Sequence, residues 1–281
     1  MLSVSNHDRD KAKLTYVYPV LSRRAGGLSI GINLNINHAC NWRCIYCQVP
    51  DLKRGSAPPV NFETLGKELR FFLSDVLQGD FYERESIAEE YRVIKDIAIS
   101  GNGEPTSSAE FDQVINLISL IMQEFGLNDR INCVLITNGS LVRRKVVQNG
   151  LKKLSTINGE IWFKIDSASR EGQAFINNIN GSGLNSLRHL EIASALCPTW
   201  IQSCFFAWKK RPPAKREINA YLSLLDAIQQ NETPIKGVLL YGVAREPHQG
   251  EAKYISALPE SWFIKFAERM QHYNFDVRIN P

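Results

Sequence analysis

Short apolar runs alternate with longer segments of helical periodicity along most of this chain, and this alternation is the strongest constraint on its fold. The pattern predicts strands at residues 28–36, 93–100, 132–137, 160–165, 199–208, 236–243 and 275–279. It predicts helices at residues 62–78, 109–125, 168–179, 184–196, 215–230 and 258–273. Strand followed by helix, about six times over, gives parallel strands joined by right-handed crossovers. The expected fold is therefore α/β, a partial (β/α)6-type TIM barrel with a parallel sheet and outer helices.

The chain has 281 residues, which is enough for one domain with a substantial core. We expect residues 1–13 to be a flexible N-terminus, residues 16–247 the core, and residues 248–281 a C-terminal extension. No apolar run approaches the length of a membrane span, and the polar first residues lack the apolar segment of a signal peptide. A cytoplasmic monomer without a membrane partner is expected.

Polar motifs follow four of the predicted strands directly. A cysteine-rich loop follows the first strand, and Ser100 to Thr106 follow the second. Thr137, Asn138 and Ser140 end the third, and Asp166 with Ser167 ends the fourth. Because a barrel of this kind builds its site at the carboxyl ends of its strands, these motifs are expected to meet there.

The cysteine loop places Cys40, Cys44 and Cys47 with three residues in the first gap and two in the second. Three thiolates clustered on a short loop can bind three corners of a cuboidal 4Fe-4S cluster, since soft sulfur ligands suit iron. The fourth iron would then lack a protein ligand and could coordinate a small molecule. Two alternatives stay open: three ordinary loop cysteines, or a zinc site with His38 as the fourth donor.

The segment Ser100 to Thr106 carries two glycines on either side of Asn102, followed by Glu104 and Pro105. Glycine lets a backbone approach a cofactor closely, and a carboxylate can bind an ammonium group. A plain turn between strand and helix is the alternative. At the third strand end, Asn138 offers both a donor and an acceptor for a ribose or a carboxylate, although turn residues of this kind are also common.

Lys164 and Asp166 lie on one side of the fourth strand, since side chains alternate along it. A desolvated lysine at this depth could form a Schiff base with a carbonyl substrate, or it could pair with an acid such as Asp166 or Glu104. Tyr241 and Arg245 lie at the sixth strand, and Gln202 and Ser203 lie in the fifth. The region around Arg245 is expected to contact substrate.

The remaining cysteines are far from any paired-cysteine motif. Cys133 is flanked by apolar residues and is expected in the core. Cys197 and Cys204 lack a cysteine-rich C-terminal extension, so no second cluster is expected.

The motif C-x-x-x-C-x-x-C with an aromatic residue, Tyr46, before its third cysteine resembles the radical S-adenosylmethionine superfamily. Further motifs are similar to its wyosine-synthase-like, transfer-RNA-modifying subgroup: Ser22-Arg23-Arg24, G-N-G-E-P-T, I-T-N-G-S, the K-x-D of Lys164 and Asp166, and an R-x-P at Arg245. Subgroup members that build the wyosine base carry further cysteines ahead of the first strand, whereas this chain has none before Cys40. The absence of such cysteines argues against that reaction in this chain.

The resemblance implies one 4Fe-4S cluster and S-adenosylmethionine as cofactors, with a flavodoxin- or ferredoxin-like one-electron reductant as partner. Cleavage of S-adenosylmethionine gives a 5′-deoxyadenosyl radical, with Cys40, Cys44, Cys47, Lys164 and Asp166 as the catalytic set. The implied cofactor-binding residues are Tyr46, Gly101, Asn102, Gly103, Glu104, Pro105, Thr137, Asn138, Asp166, Ser167 and Tyr241.

A modified nucleoside in RNA is the leading substrate class that the resemblance implies, with transfer RNA as the candidate partner. Basic clusters at Arg143 to Lys145, Lys152 with Lys153, and Lys209 to Arg211 support it, although each cluster alone is ordinary for a solvated face. The alternatives are modification of a peptide or small molecule, activation of a glycyl-radical partner, or a non-enzymatic electron-transfer or sensor module.

Overall fold

The computed structural model describes residues 14–22, 26–179 and 185–281. The strands are β1 Val17–Ser22, β2 Gly27–Ile32, β3 Ala39–Cys40, β4 Lys53–Arg54, β5 Ile94–Ile99, β6 Asn132–Thr137, β7 Gly159–Lys164, β8 Thr199–Cys204, β9 Ala207–Trp208, β10 Gly237–Tyr241, β11 Ile255–Ser256 and β12 Asp276–Asn280. The α-helices are α1 Phe62–Gln78, α2 Phe81–Arg84, α3 Phe111–Glu124, α4 Lys145–Ser155, α5 Arg170–Ile176, α6 Ser186–Ser194, α7 Lys215–Gln230 and α8 Glu260–Glu268. The predicted flexible N-terminus, Arg23, Arg24 and the residues between the helices predicted at 168–179 and 184–196 lie outside the described residues.

The main sheet has eight strands in the order β1-β2-β5-β6-β7-β8-β10-β12. Every neighbouring pair from β2 to β12 is parallel, whereas β1 runs antiparallel to β2. The strands follow the sheet in chain order, as successive right-handed crossovers require. The predicted partial barrel is thereby confirmed, and the predicted last strand forms its far edge as β12.

The antiparallel strand β1 was not expected from the sequence. It pairs with β2 over six positions, from Val17 opposite Ile32 to Ser22 opposite Gly27. Pro19 lies within it and lacks a backbone N–H, which is compatible with a strand at the edge of a sheet. The strand predicted at residues 199–208 is also interrupted: β8 joins the barrel, while β9 pairs with β11 in a separate small sheet.

The helices bury one face against the sheet, as their periodicity predicts. In α1 the buried residues include Leu65, Leu69, Phe72 and Leu73, and the Asn61 side chain caps the helix by accepting from the Thr64 N–H at 2.9 Å. Within the described residues, no helix is both long enough and apolar enough to cross a membrane.

Strand pairing brings the polar motifs to one end of the barrel. Ile32 lies opposite Ile99, Thr137 opposite Phe163, and Tyr241 opposite Cys204. The residues that follow these positions therefore meet at a common edge.

Candidate active site

A cavity of about 570 Å³ runs from the cysteine loop into the interior of the barrel. Cys40, Cys44 and Cys47 all line it, so the three predicted cluster ligands lie around one site. The other predicted site residues that line it are Tyr46, Gly101, Asn102, Gly103, Glu104, Asn138, Lys164 and Tyr241.

The cysteine loop is held by hydrogen bonds from the end of the preceding strand. Asn35 Nδ2 donates to the Ala39 carbonyl at 2.8 Å, and the Asn35 N–H donates to Asn33 Oδ1 at 3.1 Å. His38 adopts a left-handed φ of 57°, and its Nδ1 lies 3.0 Å from the Pro50 carbonyl. Because His38 is not among the residues that line the cavity, this arrangement does not bring the fourth ligand of the zinc alternative to the thiols.

The sulfur atoms of Cys40 and Cys44 accept hydrogen bonds from the surrounding protein. The Trp42 N–H donates to Cys40 Sγ at 3.4 Å, and Asn177 Nδ2 donates to Cys44 Sγ at 3.2 Å. Burial raises the pKa of the Cys40 thiol to about 12. Burial, and then the charge of Asp166, raise the pKa of Cys44 as well. Binding of a metal to either thiol would therefore require loss of a proton whose retention burial favours.

The three cysteines are of the chemical kind that would hold a 4Fe-4S cluster. A cuboidal cluster binds each thiolate to a different iron atom, so its protein ligands are soft sulfur donors around a cavity. Cys40, Cys44 and Cys47 supply such donors, and the N–H groups at Cys40 and Cys44 suit thiolate ligands.

The glycine motif packs directly beneath the cysteine loop. Gly101 has φ +140°, and a Cβ there would lie 2.4 Å from Asn33 Oδ1. A Cβ on Gly103 would lie 2.1 Å from the Ala39 carbonyl oxygen. The Asn102 N–H donates to Asn33 Oδ1 at 3.0 Å, which joins the two strand ends. Side chains at either glycine would therefore push the motif away from the loop.

The Glu104 carboxylate is buried and accepts four hydrogen bonds from the protein. Oε1 accepts from the Thr106 N–H at 3.1 Å, the Thr106 hydroxyl at 2.6 Å and the Thr137 hydroxyl at 2.6 Å. Oε2 accepts from the Asn138 N–H at 2.7 Å. Burial raises the pKa of Glu104, and these donors partly offset that effect. Glu104 therefore links the loop after β5 to the end of β6. Its Oε2 accepts only one hydrogen bond from the described residues, so this oxygen is better placed than Oε1 to accept a bond from a ligand.

Two other predicted cofactor-binding residues, Thr137 and Pro105, help to hold Glu104 between β5 and β6. Thr137 is buried and contacts Glu104, as above. Pro105 is buried and opens a short 3-10 helix, Pro105–Ser107.

Asn138, directly after β6, connects the end of this strand to the cysteine loop. Its Nδ2 donates to Asn41 Oδ1 at 2.9 Å, and Asn41 Nδ2 donates to the Ser140 hydroxyl oxygen at 2.7 Å. The Ser140 hydroxyl donates back to Asn138 Oδ1 at 2.7 Å, which closes a ring of three side chains beside Cys40. Asn41 is a site residue that the sequence reasoning missed, although its position directly after the first cysteine was a usable signal.

Asp166 lies behind the cysteine loop, with its side chain fully buried. Its Oδ2 accepts from the Tyr46 hydroxyl at 2.6 Å and from Asn177 Nδ2 at 2.8 Å, and its Oδ1 accepts from the Cys204 N–H at 3.0 Å. The residue does not line the main cavity. Asp166 therefore orients Tyr46 and Asn177, and through Asn177 it reaches Cys44.

Lys164 points into the cavity between two tyrosines. Its Nζ donates to the Tyr241 hydroxyl at 2.6 Å and lies 3.6 Å from Asp166 Oδ1. It also lies 5.2 Å from the ring centroids of Tyr46 and Tyr241. Burial alone would lower the pKa of Lys164, but the charges of Asp166 and Tyr241 outweigh it and raise the pKa. Of the two acids considered for an ion pair with Lys164, Asp166 is the one that lies within reach of its Nζ.

A second cavity of about 660 Å³ lies on the other side of Cys204 and is lined by both Asp166 and Ser167. The Ser167 hydroxyl donates to Glu217 Oε2 at 2.9 Å, so it faces α7. The structure thus does not bring Ser167 to the cavity that contains the three thiols.

A C-terminal strap, defined here as residues 245–251, crosses the cysteine loop. The Arg43 guanidinium binds both carboxylate oxygens of Glu251 at 2.9 and 2.8 Å. The His248 N–H donates to the Cys47 carbonyl at 2.9 Å, and Gln249 Nε2 donates to the Val49 carbonyl at 3.1 Å. Sequence reasoning missed these contacts because no local pattern links the strap to the loop.

The remaining residues singled out in the sequence divide between two surfaces. Arg245, Gln202 and Ser22 line the main cavity, and Arg245 donates to Gln48 Oε1 at 3.2 Å. Ser203 instead lies 2.7 Å from the Tyr221 hydroxyl in the packing beneath α7. Cys133 and Cys197 are buried, and Cys133 lies in the core as expected.

Two curated proteins are similar in sequence. The chain is 27% identical over 152 residues to a protein named GTPase Obg from Brachyspira hyodysenteriae, a match that spans 54% of this chain and 19% of that protein. It is also 27% identical over 149 residues to a UPF0026 protein of Helicobacter pylori, spanning 52% of this chain and 42% of that protein. The matches span less than half the length of either relative. This chain contains no G-x-x-x-x-G-K-S/T phosphate-binding motif.

Two solved structures share the fold. A structure of TYW1 with a lysine-pyruvate adduct bound has a TM-score of 0.55 and 16% identity, covering 98% of this chain and 80% of that chain. Streptococcus suis SuiB bound to S-adenosylmethionine has a TM-score of 0.55 and 11% identity, covering 92% of this chain and 48% of that chain. At these identities the likeness concerns the fold alone.

The family model of the Radical SAM superfamily matches residues 34–207. This match covers more than half of the chain, and it includes the cysteine loop, the glycine motif and the ends of β6 and β7. With the barrel topology and the three thiols around one cavity, it establishes that this chain is an enzyme of the radical SAM superfamily.

Proposed function

We propose that this enzyme reductively cleaves S-adenosylmethionine at a single 4Fe-4S cluster held by Cys40, Cys44 and Cys47. The observation that carries the proposal is the position of these three thiols around the same cavity as Gly101 to Glu104. When bound, the cluster would supply the electron that converts S-adenosylmethionine to methionine and a 5′-deoxyadenosyl radical. The protein's own part is to bind, orient and shield the reactants.

The roles of the residues follow from their contacts. Glu104 Oε2 and the backbone at Gly101 and Gly103 would bind the amino group of S-adenosylmethionine. Asn138 would contact its ribose or carboxylate, since the ring of Asn138, Asn41 and Ser140 fixes its amide beside Cys40. Asp166 acts as a positioning residue, because its carboxylate contacts Tyr46 and Asn177 and is buried away from the main cavity.

Lys164 would provide a fixed positive charge for an anionic group of the cofactor or substrate. A Schiff base requires the neutral amine, and the charge of Asp166 raises the lysine pKa and opposes that form. Treatment with pyruvate and borohydride is therefore expected to leave Lys164 unmodified by mass spectrometry. A covalent adduct at Lys164 would instead favour the carbonyl-substrate alternative.

We propose a nucleoside in RNA as the substrate and transfer RNA as its carrier. The support is the resemblance of the strand-end motifs to the transfer-RNA-modifying subgroup, together with a net charge of +4. A flavodoxin- or ferredoxin-like protein would supply the electron, and the enzyme would act as a cytoplasmic monomer.

Anaerobic reconstitution tests the chemistry directly. Iron and sulfide analysis should give one 4Fe-4S cluster per chain, and dithionite with S-adenosylmethionine should yield 5′-deoxyadenosine by liquid chromatography and mass spectrometry. Cys44→Ala should abolish the product, whereas Cys197→Ala, the same change outside the loop, should retain it. Zinc in the loop, or a cluster whose spectrum ignores S-adenosylmethionine, would contradict the proposal.

The substrate class needs a separate comparison. RNA nucleosides from cells with and without the protein should differ by one modified nucleoside in mass-spectrometric analysis. If the nucleosides are identical while 5′-deoxyadenosine still forms, the substrate is a peptide, protein or small molecule and the RNA assignment is wrong.

A further inference from the structure

An exposed surface of aromatic and basic side chains lies beside the second cavity; we call it the aromatic-basic surface. Phe175 and Tyr254 flank Trp208, with ring centroids 4.9 and 5.1 Å from the Trp208 ring. Phe175 is 46% exposed and Tyr254 is 39% exposed. Among the described residues only one other Phe, Tyr or Trp, Phe71, is exposed, and it lies on α1. Two of three exposed aromatic rings thus occur at one place.

Three exposed basic residues, Lys209, Lys210 and Arg211, follow Trp208 directly in the chain. None of the three belongs to an ion pair within the described parts of the structure. Lys209 Nζ lies 5.1 Å from the centroid of the Tyr254 ring, so positive charge and aromatic surface are adjacent. This combination suits a polyanion with flat, apolar groups.

The backbone that presents these lysines is strained. Lys209 and Lys210 have φ values of 49° and 63°, and the Trp208 and Arg211 backbones pair across them at 2.8 and 3.0 Å. A two-residue turn with both φ values positive normally carries Asn and Gly. Lysine at both positions costs stability relative to Asn and Gly. Such local strain is typical of functional positions.

For three of the basic residues on and before α4, the structure itself offers a role. Arg144 donates to the Thr106 carbonyl at 3.2 Å, and Lys152 with Lys153 lies in the last turn of α4, where positive charge suits the helix dipole. These roles account for Arg144, Lys152 and Lys153 without a polyanionic partner. Lys152 and Lys153 on α4 therefore offer a matched control for the loss of two positive charges.

The aromatic-basic surface is continuous with the cysteine loop. The Ile45 N–H donates to the Ile176 carbonyl at 2.8 Å, and Ile176 follows Phe175 at the end of α5. Trp208 packs against the small apolar cluster of Ile45, Cys204 and Phe206. The second cavity of about 660 Å³ opens here, with Trp208, Lys209 and Arg211 among its lining residues and Cys204 shared with the main cavity.

We propose that the aromatic-basic surface binds an unpaired segment of RNA, with bases stacking on Phe175 and Tyr254 and phosphates contacting Lys209, Lys210 and Arg211. This assignment rests on the RNA substrate class proposed above and adds the site that holds the strand. Unpaired bases are required because paired bases present no free face to the rings. Positive charge beside the rings, with no carboxylate of the described residues paired to the three cations, favours RNA over an apolar peptide.

Fluorescence anisotropy with a labelled RNA hairpin that carries an unpaired loop tests the surface, using the reconstituted enzyme without S-adenosylmethionine. Phe175→Ala is expected to weaken binding about tenfold through the loss of stacking. The double variant Lys209→Asn, Lys210→Gly removes two phosphate contacts, so it should weaken binding and reduce the slope of log affinity against log salt by about 1.4. Because Asn-Gly suits this turn, the double variant should unfold at an equal or higher denaturant concentration, which separates charge loss from misfolding.

Three controls separate binding at this surface from general attraction between a basic protein and a polyanion. Lys152→Gln with Lys153→Gln, a matched loss of two charges on α4, should leave the affinity within about twofold. A blunt RNA duplex should bind more weakly than the hairpin, and polyglutamate should not compete. The proposal is wrong if the α4 variant loses affinity and the surface variants do not, if the duplex binds equally well, or if polyglutamate competes equally. Each of these results would leave 5′-deoxyadenosine formation and the RNA nucleoside comparison unaffected, so the two proposals fail separately.

Discussion

Asn177 Nδ2 donates a hydrogen bond to Cys44 Sγ at 3.2 Å. The same amide also donates to Asp166, so the buried carboxylate fixes the direction in which the N–H meets the sulfur. An N–H at a cluster thiolate stabilises the more negative, reduced state and raises the reduction potential.

Replacement of Asn177 should therefore lower the reduction potential of the 4Fe-4S cluster proposed above. We expect Asn177→Ala to shift the midpoint by about 60 mV toward negative values, which corresponds to roughly 1.4 kcal/mol for one electron. A redox titration followed by electron paramagnetic resonance measures the shift. Asn219→Ala, on the exposed face of α7, should leave the midpoint unchanged. An unchanged midpoint in Asn177→Ala would show that this contact does not tune the cluster.

Glu104 is expected to contribute to stability as well as to cofactor affinity. Glu104→Ala removes the acceptor of four hydrogen bonds, leaves buried donors unsatisfied, and should lower the free energy of unfolding by about 3 kcal/mol without cofactor. Urea denaturation measures this loss. Thr137→Val, which removes one of the donors, should cost about 1 kcal/mol and retain binding of S-adenosylmethionine. Equal stability of Glu104→Ala and the wild type would rule out the structural tie.

The ion pair between Arg43 and Glu251 should brace the cysteine loop modestly. Both side chains are about 30% exposed, so a double-mutant cycle with alanine should give a coupling energy of about 1 kcal/mol. The hydrogen bond to Arg43 lowers the pKa of Glu251, so this stabilisation is present at neutral pH and is lost as pH falls below about 4. The exposed pair of Lys67 and Glu63 should give a smaller coupling energy. Faster amide hydrogen exchange in the cysteine loop of Glu251→Ala would confirm that the ion pair stabilises this loop, and unchanged exchange would contradict it.

Asp96 should make stability depend on pH in the opposite direction. Burial raises its pKa from 3.8 to about 6, although the Ser29 hydroxyl donates to it. The folded state therefore holds a proton that the unfolded state releases, and stability falls as pH rises from about 4 to about 6, by roughly 3 kcal/mol.

Asp96→Asn keeps an acceptor for Ser29 and removes this titration. The variant should match the wild type near pH 4 and be more stable above pH 6, as measured by urea denaturation across this range. Asp112→Asn, on α3, should retain the wild-type pH profile. An unchanged profile in Asp96→Asn would mean that Asp96 is ionised throughout.

Local patterns predicted most of the barrel. Helix α1 and strand β6 have the predicted bounds, because periodicity and the Asn61 cap are encoded within a few residues of each element. The meeting of the strand-end motifs was also predictable, because the carboxyl ends of parallel barrel strands lie at one end of the barrel. Strand β1 was missed because Pro19 interrupts the strand pattern and because pairing with β2 depends on a neighbour.

The polar contacts that shape the site could not be predicted from the sequence. Asn177 is 133 residues from Cys44, and Glu251 is 208 residues from Arg43. A single asparagine or glutamate carries no periodic signal, so only the fold reveals its partner. The same limit applies to Ser167. Its position directly after a strand predicted a ligand contact, whereas in the structure its hydroxyl donates to Glu217.

The strap across the cysteine loop also bears on how the enzyme matures. During translation the loop leaves the ribosome long before His248 and Glu251 have been made, and until then it lacks its bonds to the strap. A nascent chain therefore presents its three thiols on a loop that lacks these bonds until residues 245–251 have been made.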